Sequence, residues 1–241
     1  MRGILAIALL AAAGAAAQDK SESREMIGKV GTRSALLVLH ATERAEGGWR
    51  VAGEYVILPT LARRFVEGER GPELGVTVLK EGTTPILFGR PGIGELRGTW
   101  RDGTFKGTRY GEGGQRREDF EFGEDFPSME GYSANVRCEA KEGRFQSRLL
   151  LSVQQGKLQS LEWRSVEPGG QQCSVAPSEQ QAVRGGLRFL AGSCRVTLRD
   201  LGEFVVLRAE NCSAFCAPEA YLEPLLLDRR GNCELLRLGA R

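Results

Sequence analysis

The sequence predicts a mainly β protein, built from antiparallel sandwich-like or barrel-like units with at most one or two short helices. Three observations predict this class. Short runs rich in β-branched and aromatic residues recur along the chain, 32 glycines interrupt them, and apolar patterns of helical period are few. Many short strands separated by turn residues are typical of β-sandwiches and β-barrels.

The first half of the chain is predicted as strands joined by turns. Residues 34–42 form a short apolar, β-compatible run, and residues 49–58 resume after the glycine turn at 46–48. Asp102-Gly103 is a dipeptide typical of type I′ hairpin turns, so residues 96–109 are predicted as a β-hairpin. Further strands are predicted at 74–80, 85–89 and 118–122. Residues 59–67 are predicted to form one or two helical turns.

The second half continues the same pattern. Gln155-Gly156 is predicted to turn a hairpin between residues 144–153 and 158–166. Further strands are predicted at 187–190, 194–199, 203–209 and 235–238. The best helix candidate is 218–227, because proline is favourable in a first helical turn, although Pro224 limits its length.

All six cysteines lie in the second half: Cys138, Cys173, Cys194, Cys212, Cys216 and Cys233. An even number of cysteines in an exported chain favours disulfides over thiols or metal ligands, so three disulfides are predicted. Their connectivity stays open, including whether Cys212 bonds Cys216 or each reaches a different strand. The distribution predicts a cysteine-free β domain at 27–128 and a disulfide-rich β domain at 132–241, with one long sandwich as the alternative.

The N-terminus has the pattern of a secretory signal peptide. Arg2 precedes an apolar run at 4–13, and small residues at 15–17 form a cleavage site. The run is too short to span a membrane, which takes about 20 residues. We therefore expect residues 1–17 to be removed after Ala17, the mature chain to have no membrane span, and the protein to be periplasmic or secreted. Abundant Arg beside scarce Lys and Asn is consistent with a GC-rich bacterial genome.

Composition argues against several classes of function. The formal net charge is only +2, which gives no electrostatic case for nucleic acid. The chain has one histidine, His40, no G-x-S-x-G elbow and no C-x-x-C motif, so no catalytic, metal-binding or cofactor-binding residues are predicted. The alternative is a cell-envelope hydrolase that uses His40 or the acidic cluster at 118–125, whose members are Glu118, Asp119, Glu121, Glu124 and Asp125.

The segment 98–107, GTWRDGTFKG, carries the most distinctive pattern in the chain. It resembles a single MORN repeat, with Gly98, Trp100, Gly103 and Gly107 at matching positions. The competing interpretation is an ordinary glycine-rich hairpin with a packed tryptophan, because repeat proteins need several units to bury a core. The hairpin also supplies a candidate binding surface, made of Trp100, Phe105, Arg109 and Tyr110.

The chain as a whole resembles uncharacterised secreted proteins of Gram-negative bacteria, through the hairpin just described and the cysteine-rich segment from Cys194 to Cys216. The architecture predicted for its second half is similar to that of periplasmic lysozyme inhibitors. We therefore expect an exported, non-catalytic β-protein that binds an envelope protein or glycan, in the manner of an inhibitor. The alternatives are the hydrolase and a structural envelope module, and the oligomeric state is left open.

Overall fold

The structure, a computed structural model, describes residues 21–44, 47–58, 60–70, 75–84, 92–167, 169–170, 172–218 and 220–236. The predicted signal peptide and the predicted strand at 85–89 lie outside these residues. The described chain is mainly β, as predicted, with two short 3₁₀ turns at Glu112–Gly114 and Ser213–Phe215.

Eight antiparallel strands form a closed barrel. In chain order they are β1 (Ser21–Val30), β2 (Arg33–Glu43), β3 (Trp49–Ile57), β4 (Ala62–Arg70), β5 (Val76–Gly82), β6 (Gly94–Arg101), β7 (Thr104–Gly111) and β8 (Arg116–Gly123). Each strand pairs with the next, and β1 also pairs with β8 to close the ring. Inward residues alternate with outward ones, so apolar side chains fill the interior.

Two further antiparallel sheets follow the barrel, and together they are called the stapled sheets below. The four-stranded sheet contains β9 (Ala134–Glu142), β10 (Phe145–Gln154), β11 (Lys157–Val166) and β12 (Gln172–Val175). The six-stranded sheet contains β13 (Glu179–Val183), β14 (Gly186–Ala191), β15 (Cys194–Asp200), β16 (Phe204–Glu210), β17 (Leu225–Asp228) and β18 (Cys233–Leu235). A single apolar core lies between the two sheets, centred on Trp163 and Phe189.

Both hairpins predicted from their turn residues are confirmed. Asp102 and Gly103 have φ angles of 49° and 74°, and Gln155 and Gly156 have φ angles of 48° and 70°. Positive φ at both central residues is the geometry of a type I′ turn, whose twist matches that of the flanking strands.

Both helix predictions are wrong. Residues 59–67 lie mostly in β4, where pairing with β3 and β5 satisfies the backbone on both sides. The C-terminal part of 218–227 lies in β17, which pairs with β16 and β18. In each case long-range strand pairing overrides a weak local preference for helix.

Three disulfides, as predicted, hold the stapled sheets together, and no cysteine is free. Cys138–Cys233 joins β9 to β18, which lie in different sheets. Cys173–Cys216 joins β12 to the chain after the second 3₁₀ turn, and Cys194–Cys212 joins β15 to the segment after β16. Cys212 and Cys216 therefore bond to different strands and not to each other.

The barrel packs against the stapled sheets through a third apolar cluster. Outward side chains of β2 and β3 meet residues of β16 and β17 and of the connecting segments. Its buried members are Leu36, Val38, Val56, Leu58, Phe126, Leu201, Val206, Leu226 and Leu236. The barrel ends at Gly123 and the next strand begins at Ala134, while the division into domains at 27–128 and 132–241 stays a prediction.

Close approach of neighbouring strands inside the barrel requires glycine. A Cβ atom at Gly107 would lie 1.9 Å from the carbonyl oxygen of Arg97 and 2.5 Å from Cα of Gly98. Gly98 lies opposite Gly107 in the β6–β7 ladder, two positions from the pair Trp100–Phe105 on the same inward face. Two of the MORN-like glycines thus serve to curve the barrel wall around aromatic side chains.

We expect Gly107→Ala to lower the free energy of unfolding by about 1–3 kcal/mol or more, because the added methyl group overlaps backbone atoms. Gly123→Ala is the matched control, since its Cβ would have only the Thr104 hydroxyl nearby, at 3.8 Å. Urea denaturation of both variants measures the difference. Equal stability of the two variants would contradict this role for Gly107.

Reduction should destabilise the stapled sheets much more than the cysteine-free barrel. Loss of one native disulfide costs about 2–5 kcal/mol in small secreted domains, and all three bonds lie after residue 130. Limited proteolysis with and without reductant, followed by mass spectrometry of the fragments, locates the new cleavage sites. Cleavage in the barrel at the same rate as in the stapled sheets would refute the expectation.

Candidate functional site

The four residues of the predicted binding surface lie on two faces of the barrel wall, three inside and one outside, and a role in binding stays a prediction. Trp100 and Phe105 point into the barrel, are 7% and 0% exposed, and stack with their ring centroids 4.7 Å apart. Arg109 points inward near the opposite end of the barrel. Tyr110 faces outward beneath the guanidinium of Arg97, which lies 4.8 Å from its ring centroid. The aromatic pair is buried because the barrel core needs large apolar side chains opposite its small glycines.

Arg109 belongs to an ionic network that fills its end of the barrel. Its guanidinium donates two hydrogen bonds of 2.7 Å to the fully buried Glu81 and one of 3.0 Å to Glu118. Arg64 lies 3.4 Å from the same Glu81 carboxylate. The hydrogen bonds to Glu81 raise the pKa of Arg109, and burial followed by the nearby charge of Glu81 raises the pKa of Tyr55. These groups neutralise one another, which is a structural arrangement for buried charge.

The acidic cluster of the hydrolase hypothesis is dispersed around the barrel. Glu118 points inward, whereas Asp119 points outward and accepts hydrogen bonds from Thr108 and Arg116. The hydrogen bond from Arg116 lowers the pKa of Asp119. Glu124 and Asp125 lie at the other end of β8 and pair with arginines. Of these five residues, only Glu124 and Asp125 line the charged cleft described below, and each is paired there with an arginine.

His40, the other hydrolase candidate, is exposed on the outer face of β2 and lies opposite Ser23 of β1. The ring is nevertheless partly shielded from water, and this partial burial, followed by the positive charge of Arg208, lowers the pKa of His40. Among the described residues no group of three or more histidine, cysteine or acidic side chains is placed to hold a metal ion.

A charged cleft between the barrel and the stapled sheets is the strongest candidate for a functional site. It encloses about 740 Å³, and residues of β1, of the β6–β7 turn and of the segment after β8 form its barrel side. The β13–β14 turn and the ends of β15 and β16 form the opposite side. The ionisable residues that line it are Glu22, Arg24, Glu25, Asp102, Glu124, Asp125, Arg184, Arg199, Arg208 and Glu210.

Glu25 of β1 connects the two walls of the cleft. Its carboxylate lies 3.2 Å from Arg199 and 3.3 Å from Arg208, and all three side chains are mostly buried. The guanidinium of Arg199 also lies 4.3 Å from the ring centroid of Phe126, in the segment that links the barrel to β9. One glutamate thus pairs with two arginines of the neighbouring sheet, at the margin of the third apolar cluster.

The remaining charges of the cleft are less completely paired. Arg24 pairs with Glu22 and Glu124, and Arg184 pairs with Asp125 at 3.5 Å through two highly exposed side chains. Within the described chain, the carboxylates of Asp102 and Glu210 have no hydrogen bond or ion pair. Six acidic groups face four arginines in the cleft, so its excess charge is negative. Such a cleft favours a ligand that carries cationic groups or many hydrogen-bond donors.

The sequence does not predict this cleft, because its residues are far apart in the chain and β1 lies outside the predicted strands. The segment SESREMIGKV is rich in charge and follows the predicted signal peptide. The pattern that indicates a strand here is an alternation with a period of two: Arg24 and Met26 point inward, and Glu25 and Ile27 point outward.

Comparisons of the chain with protein-family models, with curated proteins and with solved structures find no match. In the part of the chain that the structure describes, no helix has the length and apolar character needed to cross a membrane. The resemblances to MORN repeats and to lysozyme inhibitors therefore stay predictions from the sequence.

We expect Glu25→Gln to lower the free energy of unfolding by about 1–3 kcal/mol, because Arg199 and Arg208 would then face each other without a countercharge. Added salt should reduce this loss by screening their repulsion. Glu22→Gln is the control, since it removes a more exposed ion pair with Arg24 and should cost less than about 1 kcal/mol. Urea denaturation at low and high salt tests the contrast, and identical losses in both variants would disprove it.

Proposed function

We propose that the protein is an exported, non-catalytic β-protein that binds an envelope component, a protein or a glycan, in the charged cleft. The observation that carries the proposal is the cleft itself, which is open, polar and lined by ionisable side chains from both the barrel and the stapled sheets. A partner that enters it touches two structural units at once, and its own charged and hydrogen-bonding groups determine the fit.

The compartment is inferred from two independent features. Three disulfides are typical of proteins that fold in an oxidising environment, such as the bacterial periplasm or the extracellular space. The N-terminal segment has the pattern of a signal peptide. Both features support export, and the periplasm of a Gram-negative bacterium is the proposed location.

Binding is favoured over hydrolysis because the acidic residues are either paired with arginines or separated on different faces of the barrel. Glu118 is held by Arg33 and Arg109, and Glu124 by Arg24. A general acid for glycoside hydrolysis must present its carboxyl group to the scissile bond, whereas these carboxylates are occupied by arginine partners.

The test uses the two unpaired carboxylates of the cleft. The double variant Asp102→Asn with Glu210→Gln removes two negative charges and keeps side-chain size, and Asn tolerates the positive φ of position 102. Immobilised wild-type protein is exposed to a periplasmic extract, to purified peptidoglycan and to lysozyme, and the affinity of each retained partner is then measured. We expect the double variant to bind about tenfold more weakly or worse, a loss of about 1.4 kcal/mol.

The control is Glu112→Gln with Glu234→Gln, which removes the same charge from exposed positions that do not line the cleft. Equal affinity of the cleft variant and the control variant would reject the cleft as the binding site. Release of soluble fragments from peptidoglycan by the wild-type protein would contradict the non-catalytic proposal and favour the hydrolase alternative.

A further inference from the structure

A cationic cluster lies at the end of the barrel that carries the Asp102-Gly103 turn. Trp100 occupies the last inward position of β6 before this turn, and one face of its indole is covered by Phe105, with ring planes 14° apart. The guanidiniums of Arg24 and Arg70 each lie 5.5 Å from the centroid of the same indole. Two cations therefore meet at one aromatic side chain.

The two arginines differ in how their charge is neutralised. Arg24 makes ion pairs with Glu22 and Glu124. Arg70 is partly buried and has no carboxylate partner among the residues that the structure describes. A partly buried guanidinium without a countercharge retains five hydrogen-bond donors in a planar fork, a geometry that matches the oxygens of a carboxylate or a phosphate.

The indole supplies a second unmatched donor. Nε1 of Trp100 is buried and has no hydrogen-bond partner in the described structure. A buried donor without an acceptor destabilises the folded state, and native structures satisfy most such groups. By contrast, Nε1 of Trp163 donates a hydrogen bond of 2.8 Å to Ser147 in the core of the stapled sheets.

We propose that Arg70 and Trp100 form a binding site for an oxyanion, the carboxylate or phosphate group of a ligand, at this end of the barrel. The Arg70 guanidinium is the bidentate partner and the Trp100 N–H is the third donor. The site contains donors and positive charge, so it selects anions and rejects metal cations. It adjoins the cleft at Arg24. It does not depend on the proposed function, because this site takes an anion, whereas the excess negative charge of the cleft favours cationic groups.

The Trp100 indole N–H gives a direct readout. We expect titration of ¹⁵N-labelled protein with sodium phosphate or sodium acetate, at constant ionic strength, to shift the Trp100 Nε1–H resonance to saturation. The Trp163 resonance should stay in place because its N–H is already bonded to Ser147. The Trp100→Phe variant lacks the Trp100 Nε1–H resonance and so assigns it. Tighter binding of phosphate than of acetate identifies a phosphate-bearing ligand, and the reverse order identifies a carboxylate.

Variants of Arg70 distinguish anion binding at this site from a nonspecific effect of added salt. Arg70→Gln should weaken anion binding about tenfold or more, and Arg70→Lys should weaken it less, since charge remains while the fork is lost. Arg148→Gln, which removes an exposed arginine from the four-stranded sheet, should bind like the wild type. Spectra of each variant verify its fold. A Trp100 resonance that never saturates with either anion, or an unchanged affinity in Arg70→Gln, overturns the proposal.

Discussion

The short pairing of β1 with β8 is the contact on which the rest of the structure depends. It extends only over Ile27 to Val30, opposite Phe120 to Gly123. A side chain at Gly28 could not be accommodated, because its Cβ would lie 1.8 Å from the carbonyl oxygen of Glu121. Closure leaves the barrel without free edges, which removes the usual risk of edge-to-edge association. It also encloses an interior that must be filled with side chains.

The same strand links the interior of the barrel to its surroundings. Met26 and Arg24 point inward, one into the apolar core and the other to the indole of Trp100. Glu25 and Ile27 point outward, to the arginines and apolar groups of the neighbouring sheet. Alternation along β1 therefore couples barrel closure to the docking of the stapled sheets, and a shift of register by one residue would lose both sets of contacts.

The parts of the fold that the sequence predicted are those encoded locally. Asp102-Gly103 and Gln155-Gly156 specify their turns through backbone preference alone, and each is flanked by residues that suit strands. Residues 59–67 and 218–227 carry weak local preferences, and partners distant in the chain decided their conformation. The disulfide pairing and the charged cleft depend entirely on tertiary contacts, so composition could predict bonded cysteines but not which ones join.

The Cys194–Cys212 disulfide stabilises one wall of the charged cleft. Cys212 bonds Cys194 at the start of β15, and it follows Glu210 by two residues. Arg195 lies opposite Glu210 in the register of β15 and β16, so the disulfide fixes the end of the ladder that carries Arg208 and Glu210 into the cleft. Because the opposite wall is held by the closed barrel, the cleft lies between two units stabilised by different means. The proposed partner would therefore meet preformed walls, and its binding would require little ordering of the protein.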